Sequence, residues 1–291
     1  YNLRKSIIPM KHLSIDQFQD LIESSTELTE DIYITDQSQD TRSEKSKLIL
    51  SENFDGNGYT IYNLKDPLFQ TITKKGILKN LTIAQSRIQQ NAVARYNIGK
   101  IHNVTVFATI YSEHEQTGGI TATNEGNIKD TTFTGQVNGK NSTNCEVGGI
   151  TGINAGNIAQ CEVSNSIISG TSTVGGIAGK NKQRITKSTL TDSNVQGGMV
   201  SGAICGKNSG KIKQTEVTNG TIRSPSVCGG LSGENKETVQ NCAVSNSTIK
   251  LDTPENKDSV NIYAGGLAGL TSRDSLLKNS SLHHNTIEGD R

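Results

Sequence analysis

Residues 171–179 read Thr-Ser-Thr-Val-Gly-Gly-Ile-Ala-Gly, and the five-residue signature that closes this stretch recurs along the chain. Its copies begin at Gly118 (GGITA), Gly148 (GGITG), Gly175 (GGIAG), Gly202 (GAICG), Gly229 (GGLSG) and Gly265 (GGLAG), with starts 30, 27, 27, 27 and 36 residues apart. A fixed period in this range is the sequence mark of a solenoid, in which each unit buries its apolar face only against its neighbours. A stacked coil of that kind builds a long surface and rarely a catalytic pocket.

Working outward, each of the first five signatures is followed by an Asn (Asn124, Asn154, Asn181, Asn208, Asn235) and then by apolar anchors. Ile128, Ile158, Ile185, Ile212 and Val239 come four residues after the Asn; Phe133, Val163, Leu190, Val217 and Val244 come five later. Ile168, Val195, Ile222 and Ile249 follow after five more, and Leu277, Leu282 and Ile287 keep that step in the last copy. An amphipathic helix needs three- and four-residue steps sustained over a longer window, whereas brief β-branched runs between Gly, Asn and Ser/Thr turns read as strands. The fold class is therefore all-β: a right-handed parallel β-helix solenoid of about nine coils with a short N-terminal capping helix. Three strands and three corners are expected per coil, with equivalent residues about 4.8 Å apart along an axis on the order of 45 Å.

The glycines are expected at tight corners, where only Gly readily takes φ > 0 and lets backbones approach closely. The recurrent Asn is expected to stack into a ladder of side-chain amides, at a corner whose left-handed conformation Asn tolerates. The alternative is a set of solvated turn residues without a ladder.

The same register extends upstream. The stretch from Gly99 to Val106 (GKIHNVTV) matches that from Gly126 to Phe133 (GNIKDTTF) at a shift of 27, and Gly76 to Ile83 (GILKNLTI) matches the Gly99 stretch at a shift of 23. Leu48, Leu50, Phe54, Ile61, Leu64 and Phe69 are the early anchors. An open stack of strands exposes pairing edges at its ends, which natural proteins cover. Ser14 with Gln17 makes a capping box, and Ile15, Phe18, Leu21 and Ile22 share one helical face. Residues 14–24 are thus expected to form a helix plugging the N-terminal end, ahead of a first strand near Asp31–Ile34. The organisation expected is a cap over 1–46, early coils over 47–117 and signature-bearing coils over 118–291. No C-terminal cap is legible. A start at Tyr1 and a stop in mid-coil at Arg291 give the expectation of a piece of a longer protein, truncated at its C-terminus.

Composition fits a narrow coil. The chain is 32% hydrophobic and 4% aromatic with no Trp, lean for a globule of 291 residues. A net charge of +1 gives no bulk electrostatic case for nucleic acid or a membrane surface, and no apolar run approaches membrane-spanning length. Five cysteines give an odd count. Cys161 and Cys242 share one repeat position three coils apart, too far for a disulfide. Cys205 and Cys228 fall at different positions of adjacent coils and Cys145 in an insertion, so free, small, mostly buried thiols are expected. A metal or redox site would need a CxxC pair or a His partner, which the spacing lacks. No cofactor is implied.

Repeats such as that from Gly148 to Ile158 (GGITGINAGNI) resemble the GLUG motif of bacterial secreted and surface proteins. The stretch from Phe54 to Phe69 (FDGNGYTIYNLKDPLF), with GILKNLTI at 76–83, resembles the region leading into those repeats in immunoglobulin A1 proteases and related zinc metallopeptidases. The likeness runs from the helix at 14 to the end, and GLUG repeats also occur in haemagglutinin-like adhesins. It implies an extracellular or cell-surface bacterial protein. It carries over no catalytic residue. Peptidases of that family use HExxH, and His12, His102, His114, His283 and His284 offer none, since His114-Glu115 is followed by Gln-Thr-Gly. A zinc peptidase domain would belong to another part of a parent chain.

Polysaccharide hydrolases need paired carboxylates, one to protonate the leaving oxygen and one to activate water or attack. Between residues 118 and 250 the only aspartates are Asp130 and Asp192, at non-equivalent repeat positions. Ten of the twelve aromatics precede residue 118, which leaves the repeats few sugar-stacking platforms. Serine is abundant because turns favour it, and GxGxxG matches lack a βαβ context. What remains is basic. Lys180, Lys182, Arg184, Lys207 and Lys211 fall on the Asn-bearing corner of two adjacent coils, Lys180 aligned with Lys207 and Arg184 with Lys211. Stacked like charges repel, so an acidic glycan or acidic protein patch would justify them; the alternative is a solvated, Lys-fringed edge that discourages aggregation. Insertions at Gly139–Glu146 and at Leu251–Ile262, with Pro254, are surface loops open to binding or to mere tolerance. Six Asn-x-Ser/Thr sequons (Asn80, Asn103, Asn141, Asn219, Asn246, Asn279) read as turn chemistry rather than glycosylation. The functional expectation is a non-catalytic scaffold that binds a host protein or glycan and is linked to further domains, with no nucleic-acid partner and no membrane insertion. The alternatives are a polysaccharide-processing enzyme and a plain stalk.

Overall fold

The structure, a computed structural model, describes residues 10–35, 48–140, 144–252 and 262–289. The chain winds as a parallel β-solenoid of about eight turns, with one short helix near its N-terminus. The residues from 173 to 197 trace one coil. It carries five short strands, Thr173–Gly175, Ala178–Asn181, Arg184–Thr186, Thr189–Thr191 and Asn194–Gly197, where three were expected. The first strands of successive coils stack into a sheet of six, the second into a sheet of nine, and the other three families join in a sheet of 23 that bends around the corners. Nine stacked strands are separated by eight steps, an axis of about 38 Å.

Five strands fit because a corner needs so little chain. Ile185 is buried, Lys187 takes a left-handed conformation (φ 50°), Ser188 is buried in the bend, and Leu190 is buried again. A three-residue strand plus a two-residue bend makes the five-residue step between anchors. The left-handed residues form two columns. One holds Asn80, Asn103, Asp130, Gln160, Lys187, Gln214, Asn241 and Asn279, the other Asn63, Gln85, Asn165, Asp192, Asn219, Asn246 and His284, while Asn57 and Gln90 stand outside both. Asn and Asp favour this region because their short polar side chains bond locally. Five of the six sequon asparagines stand in these columns, and Asn141 lies outside the described residues. The asparagines that follow the signatures do not: they end strands, with no positive φ.

Leu81 and Val104 fill the bends beside Asn80 and Asn103, but from Thr131 onward the buried residue of the bend is small, and mostly polar, for a reason. Ser188 Oγ donates to the Thr186 carbonyl (3.0 Å) and accepts from the Cys161 amide of the preceding coil (3.2 Å). Ser193 repeats this with the Thr191 carbonyl (2.7 Å) and the Ser166 amide (3.1 Å). Cys161 and Cys242 occupy the Ser188 column, their thiols 3.3 Å from the carbonyls of Ala159 and Gln240. There a thiol acts as a weak stand-in for the hydroxyl.

The core is a set of columns along the axis. Ile120, Ile150, Ile177, Ile204 and Leu231 are fully buried. The Ile150 amide donates to the Ile177 carbonyl (2.9 Å), Ile177 to Ile204 (2.9 Å) and Ile204 to Leu231 (2.8 Å). Helix Ile15–Ser24 lies at the N-terminal end of this core with Phe18 and Ile22 buried. Its capping box is formed: the Gln17 amide donates to Ser14 Oγ (3.2 Å) and the Ser14 amide to Gln17 Oε1 (3.0 Å). Asp31–Ile34 is a strand, and an unforeseen strand, Met10–Leu13, pairs with it in parallel. At the other end Leu277, Leu282 and Ile287 stay in register with Val239, Val244 and Ile249 but are 41%, 44% and 51% exposed, because no described coil stacks on them.

The coil widens at residue 116. The sheet of six begins with Gln116–Gly118, while the sheet of nine has three earlier strands, Ile49–Leu50, Phe69–Ile72 and Ala94–Asn97, whose coils lack that first strand. This step explains why the first signature alone ends in Ala. A Cβ on Gly152 would lie 2.7 Å from the Thr117 nitrogen, in the first strand of the preceding coil, and 2.8 Å from the Glu146 oxygen, in the first strand of its own. The equivalent Ala122 has no such strand in the coil before it and keeps its methyl. The signature glycines therefore serve close approach, not φ > 0; the positive-φ glycines are Gly58, Gly135, Gly197 and Gly198.

Candidate functional site

Strand alternation decides where the basic residues point. Asn181 and Asn208 end their strands buried, so Lys180 and Lys207, one residue earlier, face outward. Lys180 is in register with Lys207, and Lys207 with Glu234. Lys207 Nζ lies 3.4 Å from the Glu234 carboxylate. Arg184 is in register with Lys211 on the next strand family. Lys182 occupies the turn between the two families, its amide bonded to the Asn154 carbonyl at 2.7 Å. All five basic residues thus share one corner of two adjacent coils.

Behind them runs a rail of buried amides. Asn97 Nδ2 donates to Asn124 Oδ1 (2.7 Å), Asn124 to Asn154 (2.8 Å), Asn154 to Asn181 (2.8 Å), Asn181 to Asn208 (2.8 Å) and Asn208 to Asn235 (2.7 Å). The last amide donates to the Glu237 carbonyl at 2.8 Å. The rail has one member more than the sequence reading found. Asn97 lies 27 residues before Asn124, so the spacing was there, but its coil has no Gly-Gly signature. At that end Asn97 faces Ile72 in register, and its Oδ1 has no partner.

Two unit charges about 4.8 Å apart repel by roughly 1 kcal/mol in water. Glu234 offsets part of this and was missed, although it sits 27 residues after Lys207 at the same repeat position. Lys180, Lys207, Asn208, Ser209, Glu234 and Lys236 line a recess of about 130 Å³. Exposed ammonium and guanidinium groups in such an array suit carboxylate, sulfate or phosphate.

Other chemistry is dispersed. Asp130 and Asp192 stand in different corner columns, and Asp130 lies 3.3 Å from His102 Nδ1 and 3.5 Å from Lys129 Nζ. Among the described residues no group of three or more His, Cys, Asp or Glu could hold a metal ion, and no helix is long and apolar enough to cross a membrane. All five cysteines are free and buried. Burial pushes the Cys161 and Cys228 thiols up to about 12 and raises that of Cys205 as well. Of the two insertions, residues 141–143 and 253–261, with Pro254, lie outside the described residues. At the root of the second, Arg223 grips Asp252 through Nη2 (2.7 Å) and Nε (3.2 Å).

No protein-family profile matches the chain, and no curated protein matches it. Solved structures do. A protein of Bacteroides ovatus described as a candidate immunoglobulin A1 protease superposes with a TM-score of 0.54 at 15% identity, over 90% of this chain and 83% of that one. A chain described as IgA1 protease superposes with a TM-score of 0.56 at 14% identity, over 94% of this chain, which spans 21% of that longer one. At these identities the likeness is one of fold: this chain is similar to the β-solenoid of immunoglobulin A1 protease-type proteins.

Proposed function

We propose that this chain is a non-catalytic β-helical scaffold that presents its basic corner to an acidic host macromolecule, as part of a secreted or surface bacterial protein of the immunoglobulin A1 protease type. The observation that carries the reading is the stacking of Lys180 with Lys207 and of Arg184 with Lys211 along a rail of buried asparagines. Like charges fixed in register are costly until a partner balances them, and a pre-organised array loses little entropy on binding. The fold likeness supports a scaffold role, since the region matched is a fifth of a longer IgA1 protease chain. Separation of Asp130 from Asp192 argues against the paired carboxylates of glycoside cleavage.

Surface plasmon resonance over immobilised immunoglobulin A1 and over sulfated and sialylated glycans tests this. Salt-sensitive binding is expected, and the triple substitution Lys180→Ser, Arg184→Ser, Lys211→Ser should weaken it at least about tenfold with Tm unchanged. Binding that ignores the triple substitution, or silence towards every ligand, would overturn the proposal; silence would leave the chain a plain stalk.

A further inference from the structure

The widening of the coil at Gln116 leaves a recess, and the geometry points to a second binding site there, for a short neutral glycan. The recess has a volume of about 290 Å³, at the lower end of ordinary ligand pockets. Its lining joins Gln90 and Asn91 of the narrower coil to residues 113–116 of the wider one, with Arg95 and Tyr96 beside them. Ala122 lines it too, so the recess and the departure from the closing Gly have one cause, the strand missing from the preceding coil. A second recess of about 190 Å³ shares Tyr96 and Thr123 with the first and adds Ile98. The two recesses adjoin at Tyr96 and Thr123.

The lining selects the ligand class. Gln90, Asn91 and Gln116 each bring an amide with donors and an acceptor. Glu113 and Glu115 outnumber Arg95 in the lining, an acidic excess of one that disfavours an anionic ligand. Planar groups with adjacent polar atoms match neighbouring hydroxyls on a sugar ring. Tyr96 is 39% exposed and offers an aromatic surface to the C–H groups of such a ring. The Arg95 guanidinium, 5.4 Å from the Tyr96 centroid, steadies that ring.

A separate observation points the same way. Asn91 is fully buried, and neither its side-chain nitrogen nor its oxygen has a hydrogen-bond partner. An amide buried unpaired is costly, and this one forms part of the recess, where ligand hydroxyls would satisfy it. A peptide fits less well. Gln116–Gly118 is the outermost strand of its sheet, but Thr117 and Gly118 are buried, so no peptide strand can be added along it.

Saturation-transfer NMR on the whole chain tests the site, with lactose, maltose, cellobiose and N,N′-diacetylchitobiose as probes and sialyllactose and a short peptide as comparisons. At least one neutral disaccharide is expected to receive saturation. Tyr96→Ala and Gln116→Ala should each weaken that binding at least about tenfold with Tm unchanged. The triple basic-corner variant should leave it intact, which separates this site from the basic corner. Asn91→Leu should abolish the signal while holding or raising Tm, whereas a purely structural role would lower Tm. No transfer to any neutral disaccharide, transfer unchanged in the Tyr96→Ala and Gln116→Ala variants, or binding of only the anionic sugar or the peptide would overturn the proposal.

Discussion

Asn181 donates a hydrogen bond from Nδ2 to Oδ1 of Asn208, 27 residues further along the chain, at 2.8 Å, and both side chains are buried. Asn124, Asn154, Asn181 and Asn208 each give to the next coil and receive from the one before, so these amides fix register as well as satisfy themselves. A one-residue slip would exchange the two faces of the strand, turning Lys180 and Lys207 into the core.

Breaking the middle of the rail should therefore cost more than breaking its end. Asn181→Ala breaks two rail bonds at once, leaving Asn154 Nδ2 only the Arg184 carbonyl and Asn208 Oδ1 only the Gly210 amide, an expected loss of about 2–3 kcal/mol. Asn97→Ala deprives only Asn124 of a donor and should cost about 1 kcal/mol. Urea unfolding of the two variants checks this; equal losses would mean that the rail does not act as a unit.

The step in the solenoid makes a paired expectation about methyl groups. Gly152→Ala forces a Cβ against the Thr117 nitrogen and Glu146 oxygen and should destabilise by about 1–3 kcal/mol. Ala122→Gly at the equivalent position should cost less than about 1 kcal/mol. Reversal of that order in thermal melts would contradict the account of the widening.

Gly176→Val should be more severe. A Cβ there falls on the Ala203 carbonyl oxygen and on Leu190 Cδ1, with backbone on one side and core on the other. Several kcal/mol are expected to be lost. A melting temperature equal to that of the unsubstituted chain would refute this packing.

The buried thiols give the chain an alkaline weakness. Burial raises Cys161 and Cys228 from 9.0 to about 12. The unfolded chain releases these protons near pH 9 while the folded chain keeps them, so their contribution is whole below pH 9 and is lost as pH rises towards 12. The slope is about 1.4 kcal/mol per pH unit for each thiol. Urea midpoints measured upward from pH 8 should fall increasingly steeply above pH 9. Cys161→Ser should flatten the fall yet be near neutral at pH 7, because Ser188 fills the same bend. Rapid alkylation of the folded chain at pH 8 would contradict the burial.

The period, the rail and the alignment of Lys180 with Lys207 were legible in the sequence because identical residues recur at a constant interval. The left-handed columns were not: Lys187, Gln160 and Gln214 carry no signal for that conformation, which the closing of the coil imposes on them. Missing those one-residue bends is why three strands per coil were expected and five are present. Strand Met10–Leu13 was hidden because only Leu13 of its four residues is buried, leaving no alternation to read. The recess beside Tyr96 had one trace, the Ala in GGITA, but its meaning depends on a strand that the preceding coil lacks.

Methyl–methyl NOE spectroscopy on isoleucine-labelled protein puts the stacking to the most direct test. Cross-peaks should join Ile150 to Ile177 and Ile177 to Ile204, with Ile150 and Ile204 linked only through the residue between them. Three isoleucines with no mutual cross-peaks, each surrounded by unrelated methyls, would contradict the winding on which every other statement here depends.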